Sequence, residues 1–129
     1  MGGVGPMAGQ AHHFLKYAPS MEPPNDIPYA KDRYRNEVSR LYRVLDTQLE
    51  TNDYVAGDFF SIADMAIWPW ASLWEGQEQT LDDKPNLKRW LDQVSARPGV
   101  QRGRALAAEK RGNLQDSKQA QKVLFGQKG

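Results

Sequence analysis

The stretch VAGDFFSIADMAIWPW, residues 55–70, decides the fold. Residues 61–74 carry a single charge, Asp64, among Ile62, Met65, Ile67, Trp68, Trp70, Leu73 and Trp74. Apolar residues on every side of the helical wheel predict a helix in the centre of a core rather than on its surface. The start of that helix is written into the same residues. The Ser61 hydroxyl can accept the Asp64 amide N–H while the Asp64 carboxylate reaches back to the Ser61 amide, a capping box that satisfies two orphan donors at once. Phe60 before the cap and Met65 just after Asp64 are placed as a hydrophobic staple, which sets the angle at which the chain enters the helix. Capping accounts for Asp64, so this residue is assigned to folding and not to catalysis. Pro69 removes one backbone hydrogen bond inside the run and predicts a bend.

On both sides of this stretch the same helical spacing recurs and no alternating strand pattern of useful length is found, so the protein is expected to be all-α. Towards the C-terminus, residues 76–84 read as a loop. Pro85 and Asn86 then open a helix with Leu87, Trp90, Leu91 and Val94 on one face, which Arg97, Pro98 and Gly99 break. A shorter Ala- and Arg-rich helix over 98–110 follows. The remainder, 111–129, is a polar tail with Val123, Leu124 and Phe125 as a docking patch. Towards the N-terminus, residues 28–50 form a long surface helix whose apolar seam is Tyr34, Val38, Leu41, Leu45 and Leu49, with Asp26 as its cap and Pro28 in its first turn. Residues 19–28 hold four prolines and form a connecting loop. Before it, Pro6 to Ala18 make a first helix that Pro19 stops. This divides the chain into a helical domain, 1–110, and the tail, 111–129.

Composition narrows the function classes. A chain of 129 residues fits one domain. There is no cysteine, which excludes disulfides, thiolate metal sites and any thiol chemistry supplied by the chain itself. Lys plus Arg number 17 against 16 Asp plus Glu, a formal charge of +1, so bulk charge directs the chain neither to nucleic acid nor to anionic membranes. No apolar run approaches the roughly 18–20 residues that span a bilayer, and MGGVGPMAGQ lacks the pattern of a signal peptide, so a cytoplasmic location is expected.

Four features invite a chemical role. His12 and His13 are the two histidines of the chain. Neighbours on a helix point about 100° apart, so one ring is expected to be half-buried and the other solvated, with no metal between them. Trp68, Trp70, Trp74 and Trp90 read as core or interface filler whose indole N–H groups need partners. The N-terminal glycines match no phosphate loop and instead permit close backbone approach, to a ligand or to another domain. Arg33 lies off the apolar seam, one turn from Glu37. On the residues alone it is a solvated side chain with an intrahelical ion pair.

These residues resemble the C-terminal helical domain of the cytosolic glutathione transferases. The capping box and staple at Phe60, Ser61, Asp64 and Met65 are the most specific element. GPMAGQAHHF, IPYAKDRY and RWLDQVSARPGV are similar to the bacterial Nu-class branch, whose members combine glutathione binding with disulfide-bond reductase activity. The resemblance covers residues 1–107. It implies a helical bundle with no thioredoxin-like domain in this sequence, the domain that in the family binds the glutathione backbone and stabilises the thiolate through Thr or Asn. It places Met1 at an internal position of the first family helix. It also implies that Arg33, in Tyr29-Ala30-Lys31-Asp32-Arg33-Tyr34, reaches the glutathione site, where a guanidinium fork suits carboxylates. Met7, Gln10 and His13 would face the electrophile pocket or a dimer interface.

No metal, covalent cofactor or catalytic side chain is expected in this chain. Glutathione would be the cosubstrate of a full-length, homodimeric parent, in which this domain forms the electrophile wall. The polypeptide alone is expected to show little turnover. The competing expectation is a free-standing helical interaction module without catalysis.

Overall fold

A computed structural model describes residues 2–106, 108, 112 and 117–126. The elements run α1 (Val4–His12), a π-helical turn (His13–Tyr17), α2 (Ala18–Ser20), α3 (Pro28–Glu50), α4 (Ile62–Ala71), a 3-10 turn (Trp74–Gln77), α5 (Pro85–Ser95), α6 (Pro98–Ala105) and α7 (Lys118–Phe125). Among the described residues the one β feature is an isolated antiparallel bridge from Tyr54 to Gly57, closed by glycine at φ +129°. The all-α expectation stands.

Helix α3 packs on α1 and α5, α4 packs on the same two helices, and α6 rests on α5. The core they enclose holds Ala8 and Ala11 of α1, Val38, Tyr42, Leu45 and Leu49 of α3, Trp68 and Ala71 of α4, and Leu87, Trp90, Leu91 and Val94 of α5. The α5 face is the one its spacing predicts. On α3 the buried row steps through Tyr42 instead of Leu41, which is only half-buried. The row tolerates the phenol because its hydroxyl donates to Gln77 Oε1, while Gln77 Nε2 donates to the Trp70 carbonyl at 2.8 Å. Burial raises the Tyr42 pKa well above the usual phenol value, against a smaller lowering by Gln77, so the ring stays neutral.

Three local expectations are corrected. Asp26 does not cap α3. The cap position is Ile27, with no side-chain hydrogen bond, and Asp26 pairs instead with Lys31 at 2.8 Å. Pro19 does not stop the first helical segment, because the backbone has already widened into the π turn and resumes as α2, where a proline in the first turn has no donor to lose. The helix predicted over 98–110 ends at Ala105, and Ala107, Glu109 and Lys110 lie outside the described residues.

The N-terminal glycines have a specific use. A Cβ at Gly5 would sit 3.4 Å from Trp70 Nε1, and one at Gly9 3.4 Å from Trp70 Cη2. The close approach they allow is therefore to the indole of Trp70 on α4. A Cβ at either position would just touch the ring, so any side chain longer than alanine's would push α1 off α4.

Candidate functional site

The capping residues position everything around α4. Ser61 Oγ accepts the Ala63 N–H at 3.2 Å, and Asp64 Oδ2 accepts the Ser61 N–H at 2.9 Å, within a complete capping box. Asp64 does more than cap. Its Oδ1 accepts the Val55 N–H at 3.0 Å and the Trp90 indole N–H at 2.8 Å, and the side chain is fully buried. Burial alone would raise its pKa, but the hydrogen bonds from Val55, Ser61 and Trp90 outweigh it and hold the carboxyl below its usual range. A carboxylate with its lone pairs engaged by the fold has none to offer a substrate. Phe60 and Met65 lie on the wall of one groove, with Phe60 under the Arg97 guanidinium at 3.9 Å.

The two histidines differ from expectation, since neither is solvated. His12 is buried between α1 and the 3-10 turn, and a Cβ on Gly76 would fall 3.2 Å from its Nε2. Burial, then the charge of Lys16, lower the His12 pKa, partly offset by the nearby Ala8 backbone. His13 is half-buried, in edge contact with Phe14 at 5.0 Å and Phe125 at 4.9 Å between ring centroids, and burial lowers its pKa as well. Phe14 in turn stacks on Tyr34 of α3 at 5.3 Å. The aromatic ladder Phe125, His13, Phe14, Tyr34 thus ties α7, the π turn and the start of α3 together. No sequence signal announces it, because its members lie on three separate elements.

Of the other predicted residues, Gln10 is exposed, and Met7 is half-buried against the core. Arg33 projects from α3 with its side chain 55% exposed, and its ion-pair partner among the described residues is Glu37 at 3.9 Å. That contact is loose because Glu37 is taken by Arg40 through a two-pronged pair of 2.7 and 2.9 Å. Arg33 therefore holds an uncommitted fork at the surface, one helical turn from Tyr29, which is 79% exposed. Among the described residues no group of three or more His, Cys, Asp or Glu side chains could hold a metal ion. No helix among them is long and apolar enough to cross a membrane.

The surface that the sequence did not anticipate lies on α4. This helix is not buried all round: Ile62 is 82% exposed and Met65 56%, and Leu73, just past its C-terminal end, is 45% exposed. An all-apolar wheel is equally compatible with a core and with a face awaiting cover, and here one side is core and the other is open. Between α4 and α6 runs a groove with a cavity volume of about 870 Å³, floored by Trp68 and Val94 and edged by Met65, Leu73, Val100 and Arg104.

Comparison with known proteins agrees with this architecture. Residues 6–98 match the family model described as glutathione S-transferase, C-terminal domain. The chain is 43% identical over 106 residues to the disulfide-bond oxidoreductase YfcG of Escherichia coli, covering 82% of this chain and 46% of that protein. A glutathione transferase from Burkholderia graminis, solved with two glutathione molecules bound per subunit, superposes with a TM-score of 0.70 at 38% identity, covering 87% of this chain and 47% of that one. A Pseudomonas putida glutathione transferase with one glutathione disulfide bound per subunit superposes at 0.71 and 33% identity, covering 83% and 47%. The chain spans about half the length of each of these relatives. With its helical order, the capping box at the head of α4 and a family match over most of its length, this chain belongs to the glutathione S-transferase C-terminal domain family.

Proposed function

We propose that this chain acts as the helical half of a glutathione-dependent transferase or disulfide-bond reductase of the Nu-class type, working with a thioredoxin-like portion that activates the thiol. In this reading Arg33 engages a carboxylate of glutathione, and Met7, Gln10 and His13 border the electrophile site or a homodimer interface. A cytoplasmic setting follows from the same reading.

The chemistry assigned to the assembled enzyme is attack by the glutathione thiolate on an electrophile or a disulfide, so the sulfur arrives with the cosubstrate. A chain with no cysteine fits that division of labour. The observation that carries the proposal is the state of Arg33: exposed, its nearest carboxylate 3.9 Å away and already bound by Arg40. A ligand carboxylate would meet a guanidinium that loses little by turning to it.

The test uses the full chain joined behind the N-terminal portion of the Escherichia coli relative. One charge-assisted hydrogen bond to a carboxylate is worth about 1.5–3 kcal/mol. Arg33→Ala should therefore raise the glutathione KM by roughly 10- to 100-fold, Arg33→Lys by less, and Arg102→Ala not at all. An unchanged KM in Arg33→Ala would remove Arg33 from the site.

A further inference from the structure

Between Lys31 and Arg40, α3 carries four cations that meet four carboxylates, those of Asp26, Asp32, Glu37 and Glu78. Three of the cations are tightly held. Lys31 pairs with Asp26 at 2.8 Å, Arg35 with both Asp32 and Glu78 at 2.5 Å, and Arg40 with Glu37 at 2.7 Å. The fourth is Arg33, whose nearest carboxylate oxygen among the described residues, Glu37 Oε2, stands 3.9 Å away and so beyond hydrogen-bond range. Its openness depends on where Glu37 is held.

Arg40 holds it by both oxygens. Its Nη2 donates to Oε1 at 2.7 Å and its Nε to Oε2 at 2.9 Å, the fork-on-fork geometry that makes arginine–carboxylate pairs strong. The helix adds a preference of its own. An acid is better placed on the N-terminal side of its cation, as Glu37 is to Arg40, than on the C-terminal side, as it is to Arg33. Hydrogen bonding from Arg40 is the main cause that keeps the Glu37 carboxyl below its usual range, and the charge of Arg33 contributes least. Glu37 is also the most covered of the three, its side chain 19% exposed against 55% for Arg33 and 59% for Arg40. With Arg40 removed, an ionised Glu37 one turn from Arg33 would close on that guanidinium and repel an incoming carboxylate.

We propose that Arg40 is a positioning residue for the glutathione carboxylate: by engaging both oxygens of Glu37 it keeps the Arg33 guanidinium open to that carboxylate and neutralises the charge that would compete with it. This rests on the function proposed above and adds the pair of residues that sets the affinity of the Arg33 site. Arg40 itself touches no ligand in this scheme. It acts through Glu37.

The experiment is a set of glutathione KM and kcat measurements on the joined polypeptide. Arg40→Ala should raise KM about two- to fivefold, the range of an exposed ion pair, with kcat unchanged. Arg40→Lys, which keeps the charge but not the fork, should raise it less. The double variant Arg40→Ala/Glu37→Gln should return KM to the parent value, because an amide neither competes for Arg33 as a charge nor repels the ligand. Arg43→Ala removes one positive charge from the same helix without releasing Glu37 and should leave KM where it was. On the chain by itself, water exchange of the Arg33 Nε–H followed by nitrogen-15 NMR should slow in Arg40→Ala, as Glu37 closes on Arg33, and recover in the double variant.

A KM that rises in Arg33→Ala but not in Arg40→Ala removes this inference alone. So does a rise in Arg40→Ala that persists in the double variant, or one that comes with a matching loss of kcat, since either would make Arg40 a merely structural residue. An equal rise in Arg43→Ala would make the effect one of bulk charge and overturn the proposal as well, as would Arg33 exchange that is the same with and without Arg40. A KM indifferent to Arg33→Ala removes the function proposed above, and the role of Arg40 in ligand binding with it.

Discussion

Replacing Asp64 by alanine should be among the most damaging single changes in this protein, and the structure supplies the magnitude. The carboxylate accepts from the Ser61 and Val55 amides and from the Trp90 indole, and both Asp64 and Trp90 are fully buried. Losing the cap costs about 1 kcal/mol. Leaving the Val55 and Trp90 donors without an acceptor adds about 1–3 kcal/mol each. The sum is about 3–7 kcal/mol, or a fall in thermal midpoint of roughly 10–30 °C for a domain of this size. Ser61→Ala removes chiefly the cap and should cost about 1 kcal/mol.

Thermal unfolding followed by far-UV circular dichroism at pH 7 separates the two variants. The sign of the pH effect follows from the depressed Asp64 pKa. The contribution is present above the unfolded carboxylate value of about 3.9 and is lost as pH falls through the lower folded value. Asp64→Asn should therefore narrow its gap to the parent chain in acid. If Asp64→Ala melts no lower than Ser61→Ala, the carboxylate is only a cap, and the inter-element role assigned to it is wrong.

Other outcomes can be checked on the same samples. His12 has a lowered folded pKa, so its share of stability is present above the unfolded value of about 6.5 and declines as pH drops toward the folded one; the melting temperature should fall between pH 7 and 5, and His12→Phe should flatten that slope. Tyr42→Phe strips Gln77 Oε1 of its buried donor and should cost about 1–2 kcal/mol in urea unfolding without a change in m-value. Gly9→Leu drives a side chain into the Trp70 ring already 3.4 Å from a bare Cβ and should cost about 1–3 kcal/mol, whereas Gly103→Leu should cost nothing.

What could be read from the sequence was what is local. The capping box joins Ser61 to a residue three positions on, and the α5 seam repeats within a few turns, so both follow from spacing alone. The partners that make Asp64 a hub and Tyr42 a core residue stand 26 and 35 positions away, and no periodicity links them. Asp46 lies off the apolar seam of α3, where spacing gives it no role, yet its carboxylate accepts the Leu87 N–H at 2.9 Å and so caps α5 from a neighbouring helix. The α4 wheel was legible as apolar but not as half-covered, because hydrophobicity records the need for burial and not whether a partner meets it. For Arg33, position and exposure were readable, whereas its proposed ligand rests on family resemblance. Helix α7 lies in a stretch whose polarity concealed it, and only Phe125 of its apolar patch turns inward, toward His13 and Tyr17.

The central claim is a division of labour in which this chain supplies the helical wall and Arg33 while thiolate activation resides in a thioredoxin-like portion. The most direct measurement is steady-state turnover with glutathione and a model disulfide, run on the purified chain and on the same chain joined behind the N-terminal portion of the Escherichia coli relative. The chain alone should show background rates, and the joined polypeptide should turn over at a rate that weakens in Arg33→Ala. Robust glutathione-dependent turnover by the chain alone would contradict it.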